Sequence, residues 1–193
     1  MVSSAGDGMF LTAFPLLAAI LTRDPVLIAG VTIASRLPWL VFSLFTGALA
    51  DRMDRRRLMI GADLIRLVIV GLLGAAILTD TVNIWMLYAC AFLLGSCETL
   101  HVNAAQGLVP AIVKAEDLLE ANARFSSGQI VAVQFIGPPL GVAMFNASKS
   151  LPFIVDAVTF AGSAALIAKV PNEHSVDRPT TKIFEDIKEG LTA

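Results

Sequence analysis

Charge is the scarcest thing in this chain. Only 16% of its 193 residues are Asp, Glu, Lys or Arg, against about 25% in an ordinary soluble domain. The net charge of −2 comes with no strongly basic patch of the kind nucleic acid requires. Cysteine is limited to Cys90 and Cys97. Both fall inside one apolar run, so they imply neither a disulfide framework nor a metal site. No glycine-rich loop ending in lysine is present to cradle phosphates, which excludes ATP hydrolysis by the chain itself. Neither clustered metal ligands nor a nucleophile–base pair occurs. No enzyme chemistry, metal or cofactor is expected.

What fills the chain instead is apolar sequence. Hydrophobic residues make up 56%, and the mean hydropathy is +0.75. Runs of about 20 apolar residues match the hydrocarbon thickness that one helix must cross. The runs predict six spans: about Val2 to Thr22, Val26 to Leu49, Leu58 to Leu78, Val82 to Ala105, Leu118 to Phe145 and Leu151 to Ala168. Arg23-Asp24-Pro25 makes the first turn, and Pro25 suits the first residue of a helix. Asp80-Thr81 is a minimal turn, and Trp85 and Tyr88 stand where amphipathic aromatics favour a membrane interface. The start has no basic region and carries Asp7, so a cleaved signal peptide fits poorly. Residues 1–170 are read as a six-helix transmembrane bundle. Residues 171–193 are read as a cytoplasmic linker with a short amphipathic helix over Ile183 to Leu191. The fold class is an all-α membrane protein.

The basic residues sort by side. Arg52, Arg55, Arg56, Arg57, Lys114, Arg124, Lys169, Arg178, Lys182 and Lys188 fall on one side of this layout, and Arg23 and Lys149 on the other. Arg36 and Arg66 lie within spans, which completes the fourteen. Short loops rich in Lys and Arg stay in the cytoplasm, so both termini are placed there.

Ionisable groups within spans are costly and therefore candidates for function. Asp7 and Arg36 fall at similar depth in the first two spans, close enough in height for an ion pair or a shared substrate site. Glu98 and His101 lie three apart on one face of the fourth span, followed by Asn103, and could pass a proton. Asp63 and Arg66 share a face early in the third span, where an ion pair that positions the preceding loop is the expectation. Asp156 is placed near the outer end of the sixth span, within reach of the interface. Gly137-Pro138-Pro139-Leu140-Gly141 removes two backbone donors and should kink the fifth span, while its glycines admit a close neighbour. The pair Gly6 and Gly8 is too short a pattern to carry meaning.

The stretch that organises the chain is Gly47-Ala48-Leu49-Ala50-Asp51-Arg52-Met53-Asp54-Arg55-Arg56-Arg57. This G-x-L-A-D-R-x-x-R-R run resembles the signature loop between helices two and three of the major facilitator superfamily of secondary transporters. Asp54 stands where many members carry glycine. The D-R-x-D-R-R form is similar to bacterial exporters of the enterobactin and macrolide subgroup. The resemblance covers the amino-terminal six-helix half of such a transporter, so the chain is read as a fragment whose start is clipped, or as a half that needs a partner. It implies a bacterial inner-membrane location, alternating access and efflux of a small molecule coupled to protons. It also implies that Gly47, Asp51, Arg52, Arg55 and Arg56 latch the cytoplasmic side. The Gly137–Gly141 stretch resembles the glycine-proline signature of the exporter branch, with Val133 where glycine often begins it. The alternative is a non-transporting membrane scaffold or regulator derived from such a half.

Overall fold

The computed structural model describes residues 2–113 and 115–169, a few positions at the ends of the second and fourth helices by backbone alone, Asp51 and Arg52 among them. The expected linker and amphipathic helix over residues 171–193 lie outside the described residues.

Among those residues the chain is wholly helical. Helix α1 spans Val2–Leu21, α2 Pro25–Arg52, α3 Arg55–Leu78 and α4 Ile84–Ile112. A short 3-10 turn, Ala115–Asp117, leads into α5, Leu118–Ile130; a π-helical segment, Val131–Ile136, joins α5 to α6, Gly137–Ala147; α7 is Leu151–Ile167. Helices long and apolar enough to cross a membrane cover Ser3–Leu21, Pro25–Ser43, Arg55–Leu78, Ile84–Leu108 and Leu118–Ala147. The last of these treats α5, the π segment and α6 as one continuous rod. The apolar α7 has 17 residues, or about 25 Å at 1.5 Å per residue.

Local chemistry sets the ends. Asp24 caps α2, its Oδ1 accepting from the Val26 amide at 2.8 Å, and Pro25 follows at the first helical position, where its missing N–H costs nothing. Asp54 does the same for α3, accepting from the Arg57 amide at 3.0 Å. Asp54 therefore has a plain structural use as a cap. After α3 the chain reverses through Asp80, with φ at 52°, a conformation that a short polar side chain tolerates better than most. Asn83 Oδ1 accepts from the Met86 amide at 3.0 Å at the start of α4.

In packing, α2 lies along α4, α3 is held between α4 and α7, and α1 crosses α7, α6 and the π segment. Tyr88 donates to the Leu27 carbonyl at 2.9 Å, beside Gly30, where a Cβ would collide with its hydroxyl. Farther along the same pair, Asn103 Nδ2 donates to Thr46 Oγ1 at 2.7 Å. The core holds Phe14, Leu17, Val70, Leu73, Leu87 and Phe153. Phe10 stacks on Phe14 with centroids 4.5 Å apart and meets Phe153 edge-on at 5.8 Å. Large apolar side chains cover the outside: Leu40 is 83% exposed, Val26 75%, Phe135 69%. Such a surface suits lipid and would be a liability in water.

Candidate functional site

A cavity of about 310 Å³ opens between α1, α2, α3, α4 and α7. Its apolar wall includes Phe10, Phe14 and Phe160, and five charged residues interrupt that wall: Asp7, Arg36, Arg66, Glu98 and Asp156. Arg36 and Glu98 are exposed and stand toward the open side; Arg66 and Asp156 are buried. Three carboxylates thus face two guanidiniums. None of the five forms an ion pair with another among the described residues.

Each deep member is held by its neighbours. Thr159 donates from its hydroxyl to Asp156 Oδ1 at 3.3 Å. The carboxyl also packs against Gly6 of α1, where a Cβ would overlap it. The Arg66 guanidinium carbon lies 5.2 Å from the centroid of the Phe160 ring, within cation–π range. A charged lining in a low-dielectric bundle is costly unless water or a ligand solvates it. This arrangement can hold a small molecule that has an apolar body and a charged group.

The sequence expectations fare unevenly. Asp7, Arg36 and Glu98 do line one cavity, but Asp7 and Arg36 form no ion pair. The pair expected between Asp63 and Arg66 is not formed either. Arg66 turns into the cavity, and Asp63 instead faces His101 of α4, with 3.0 Å between Oδ1 and Nδ1. His101 is not among the residues that line the cavity, whereas Glu98 is. Asp156 is 1% exposed and belongs to the cavity rather than to an outer interface. Its distance from the helix end describes depth along the axis, whereas its burial comes from α1 lying across it.

At the loop between α2 and α3 the arginines reach helix ends. Arg55 Nη1 donates to the Gly107 carbonyl at 3.1 Å. Arg56 Nε donates to the Ile167 carbonyl at 3.1 Å, and its Nη2 reaches the Ala168 carbonyl. These are last-turn carbonyls of α7 that have no helical donor, and a cation there also meets the negative end of the helix dipole. Gly47 faces open space. The side chains of Asp51 and Arg52, expected to act as a latch, lie outside the described residues.

The two prolines act through the π segment. Pro138 and Pro139 cannot donate to the carbonyls of Gln134 and Phe135, and their rings would crowd an α-helical turn. The chain widens instead, and Gly137 N–H bonds to the Ala132 carbonyl, five residues back. Here α1 comes closest: a Cβ on Gly8 would lie 2.7 Å from the Val133 carbonyl oxygen, and one on Gly141 the same distance from the Met9 carbonyl oxygen. Gly6 and Gly8, too close in sequence to read as a pattern, face two different neighbours: Gly6 meets Asp156 and Thr159 of α7, and Gly8 meets Val133 and Gly137.

Apolar helices around a charged internal cavity define a polytopic integral membrane protein. The model for the Major Facilitator Superfamily matches residues 1–192, and the chain belongs to that family of transporters. Macrolide efflux protein A of Enterococcus faecalis is 26% identical over 170 residues, which are 86% of this chain and 52% of that protein. Macrolide efflux protein A of Streptococcus pyogenes is 27% identical over 125 residues, 65% of this chain and 31% of the relative. An uncharacterized MFS-type transporter of Mycobacterium tuberculosis is 28% identical over 143 residues, 71% and 31% of the two chains. The chain therefore spans about half of the first of these relatives and about a third of the others. These relatives are bacterial, which is consistent with a bacterial membrane.

Proposed function

We propose that this chain is one of two helical bundles of an efflux transporter, which exports small amphipathic molecules by alternating access in exchange for protons. The single observation that carries this reading is the cavity. Its phenylalanine-rich wall suits an apolar body, and Asp7, Arg36, Arg66, Glu98 and Asp156 suit a charged group and its solvation. Two relatives named for macrolide efflux support the direction and the substrate size. In this reading a second bundle closes the open side bearing Arg36 and Glu98, and the two bundles rock about a site near the midplane. The arginine-rich side, with Arg55, Arg56 and Arg57, faces the cytoplasm, as the asymmetry of basic residues supports. Asp51 would latch the cytoplasmic side to the second bundle.

The test is drug accumulation in an efflux-deficient bacterium that expresses the complete transporter. Expression should lower accumulation of a radiolabelled macrolide, and a protonophore should restore it. Asp7→Asn and Asp156→Asn should each weaken export at undiminished membrane abundance. Unchanged accumulation across a panel of macrolides and other amphipathic cations would set export aside.

A further inference from the structure

A pair of ionisable side chains, Asp63 and His101, meets at the α3–α4 interface, outside the cavity lining. Asp63 has no exposed surface, and neither of its carboxylate oxygens accepts a hydrogen bond among the described residues. The basic atom facing it is His101 Nδ1, 3.0 Å from Oδ1 and likewise without a hydrogen bond. The ring lies close without forming a hydrogen bond, so the contact becomes an ion pair only when the imidazole is protonated. A carboxylate buried without donors is costly in low dielectric, and a full positive charge on the neighbouring ring removes most of that cost. The His101 side chain keeps 16% exposure while Asp63 keeps none. A proton can therefore reach the imidazole but not the carboxylate.

We propose that Asp63 and His101 form a proton-binding site of the transport cycle, in which the imidazole gains and loses the proton and Asp63 is its fixed counter-charge. The proposal rests on the proton-driven exchange put forward above. In the unloaded state Asp63 is ionised and the ring is neutral, with its remaining proton on Nδ1. Uptake places a proton on Nε2, and the pair goes from one net negative charge to none; release reverses the step. Only O–H and N–H bonds change. Glu98, one turn earlier on α4 and in the cavity wall, is the donor and acceptor that links His101 to the cavity. Residues three apart on a helix have Cβ atoms about 5–6 Å apart, a gap that the side chains or one water can close. Histidine suits the task because its charge changes near neutral pH.

The surrounding charges do not neutralise Asp63 in His101's place. On α3, Arg66 is turned to Phe160 and the cavity. From α4 the titratable neighbours are Glu98 and the Cys97 thiol, and from α1 Asp7. On α7 the one titratable side chain is Asp156, held by Thr159 and the backbone at Gly6.

The chain has two histidines, so His174→Gln leaves His101 as a single reporter. In lipid nanodiscs, the 15N imidazole signals of the whole chain should show one transition between pH 5 and 9. Asp63→Asn should then lower its midpoint by at least about one pH unit, a tenfold loss of proton affinity. A midpoint that Asp63→Asn leaves in place, or a ring that does not titrate in this range, overturns the site. Where Asp63→Asn fails to fold, His101→Arg supplies a permanent charge. It should retain thermal stability in the complete transporter while abolishing the pH dependence of drug–proton exchange. If His101→Arg leaves that pH profile unchanged, the pair is structural and the proposal fails. If the imidazole transition responds to Asp63 but export ignores a protonophore, proton coupling as a whole is wrong, and the pair has no place in the cycle.

Discussion

A methyl group on Gly137 would stand 2.5 Å from the Cα of Gly8. The backbones of α1 and the proline-bearing helix touch there with no side chain between them. Neither partner can give way without moving a helix, because the obstructing atoms are main chain. Gly8→Ala and Gly137→Ala should each destabilise the protein by about 1–3 kcal/mol, the usual range for overpacking. Gly61→Ala and Gly71→Ala, where a Cβ meets open space, should be neutral or stabilising by up to about 1 kcal/mol. Thermal unfolding of the four variants in detergent, followed by size exclusion, gives the order; equal losses at all four sites would contradict the crossing.

Arg56 and Arg57 are adjacent, yet their surroundings differ. Arg56 caps the carbonyl end of α7, while Arg57 is 85% exposed and pairs with Asp54 at 3.6 Å. Arg56→Ala should lower stability by about 1–2 kcal/mol, through lost charge-assisted hydrogen bonds. Arg57→Ala should change it by less than about 1 kcal/mol, as exposed ion pairs do. Proteolysis between α3 and α7 would report the difference, with faster cleavage in the Arg56 variant alone.

Asp7 and Arg36 share a cavity without pairing. A double-mutant cycle on Asp7→Asn and Arg36→Gln should therefore be additive in folded yield, with a coupling below about 0.5 kcal/mol. Macrolide binding to the complete transporter should fall in both single variants. Recovery of yield in the double variant would mean that the two side chains meet in the membrane after all.

Orientation is open to a chemical test. In a variant with Cys90→Ala and Cys97→Ala, Arg57→Cys should resist a membrane-impermeant thiol reagent in intact cells, whereas Asp80→Cys, in the next turn of the chain, should react. The reverse pattern would invert the bundle.

Much of this fold is legible in the sequence, because membrane helices announce their length and their ends. Asp24 and Pro25 mark one start, and Asp54 among its arginines marks another. What the sequence does not carry is rotation. Asp63 and Arg66 are neighbours on one helix, but the partner helix covering each side chain decides whether they pair. Here α4 brings His101 to one, and α7 brings Phe160 to the other. Cavity membership has the same origin: Asp7, Arg36 and Glu98 could be chosen by their cost in lipid, while Asp156 needed the crossing of α1 to be recognised. Gly6 and Gly8 became informative only opposite Asp156 and Gly137.

The π segment carries one residue more than an α-helical stretch of the same rise. That surplus sets α5 about 100° out of phase with α6, the angle one residue subtends on an α-helix. The two parts also differ in what they bury: none of α5, but Gly137, Gly141 and Phe145 of α6. The long rod from Leu118 to Ala147 thus carries a built-in change of phase, and the stripe that its first part turns toward its neighbours is not continued by the second.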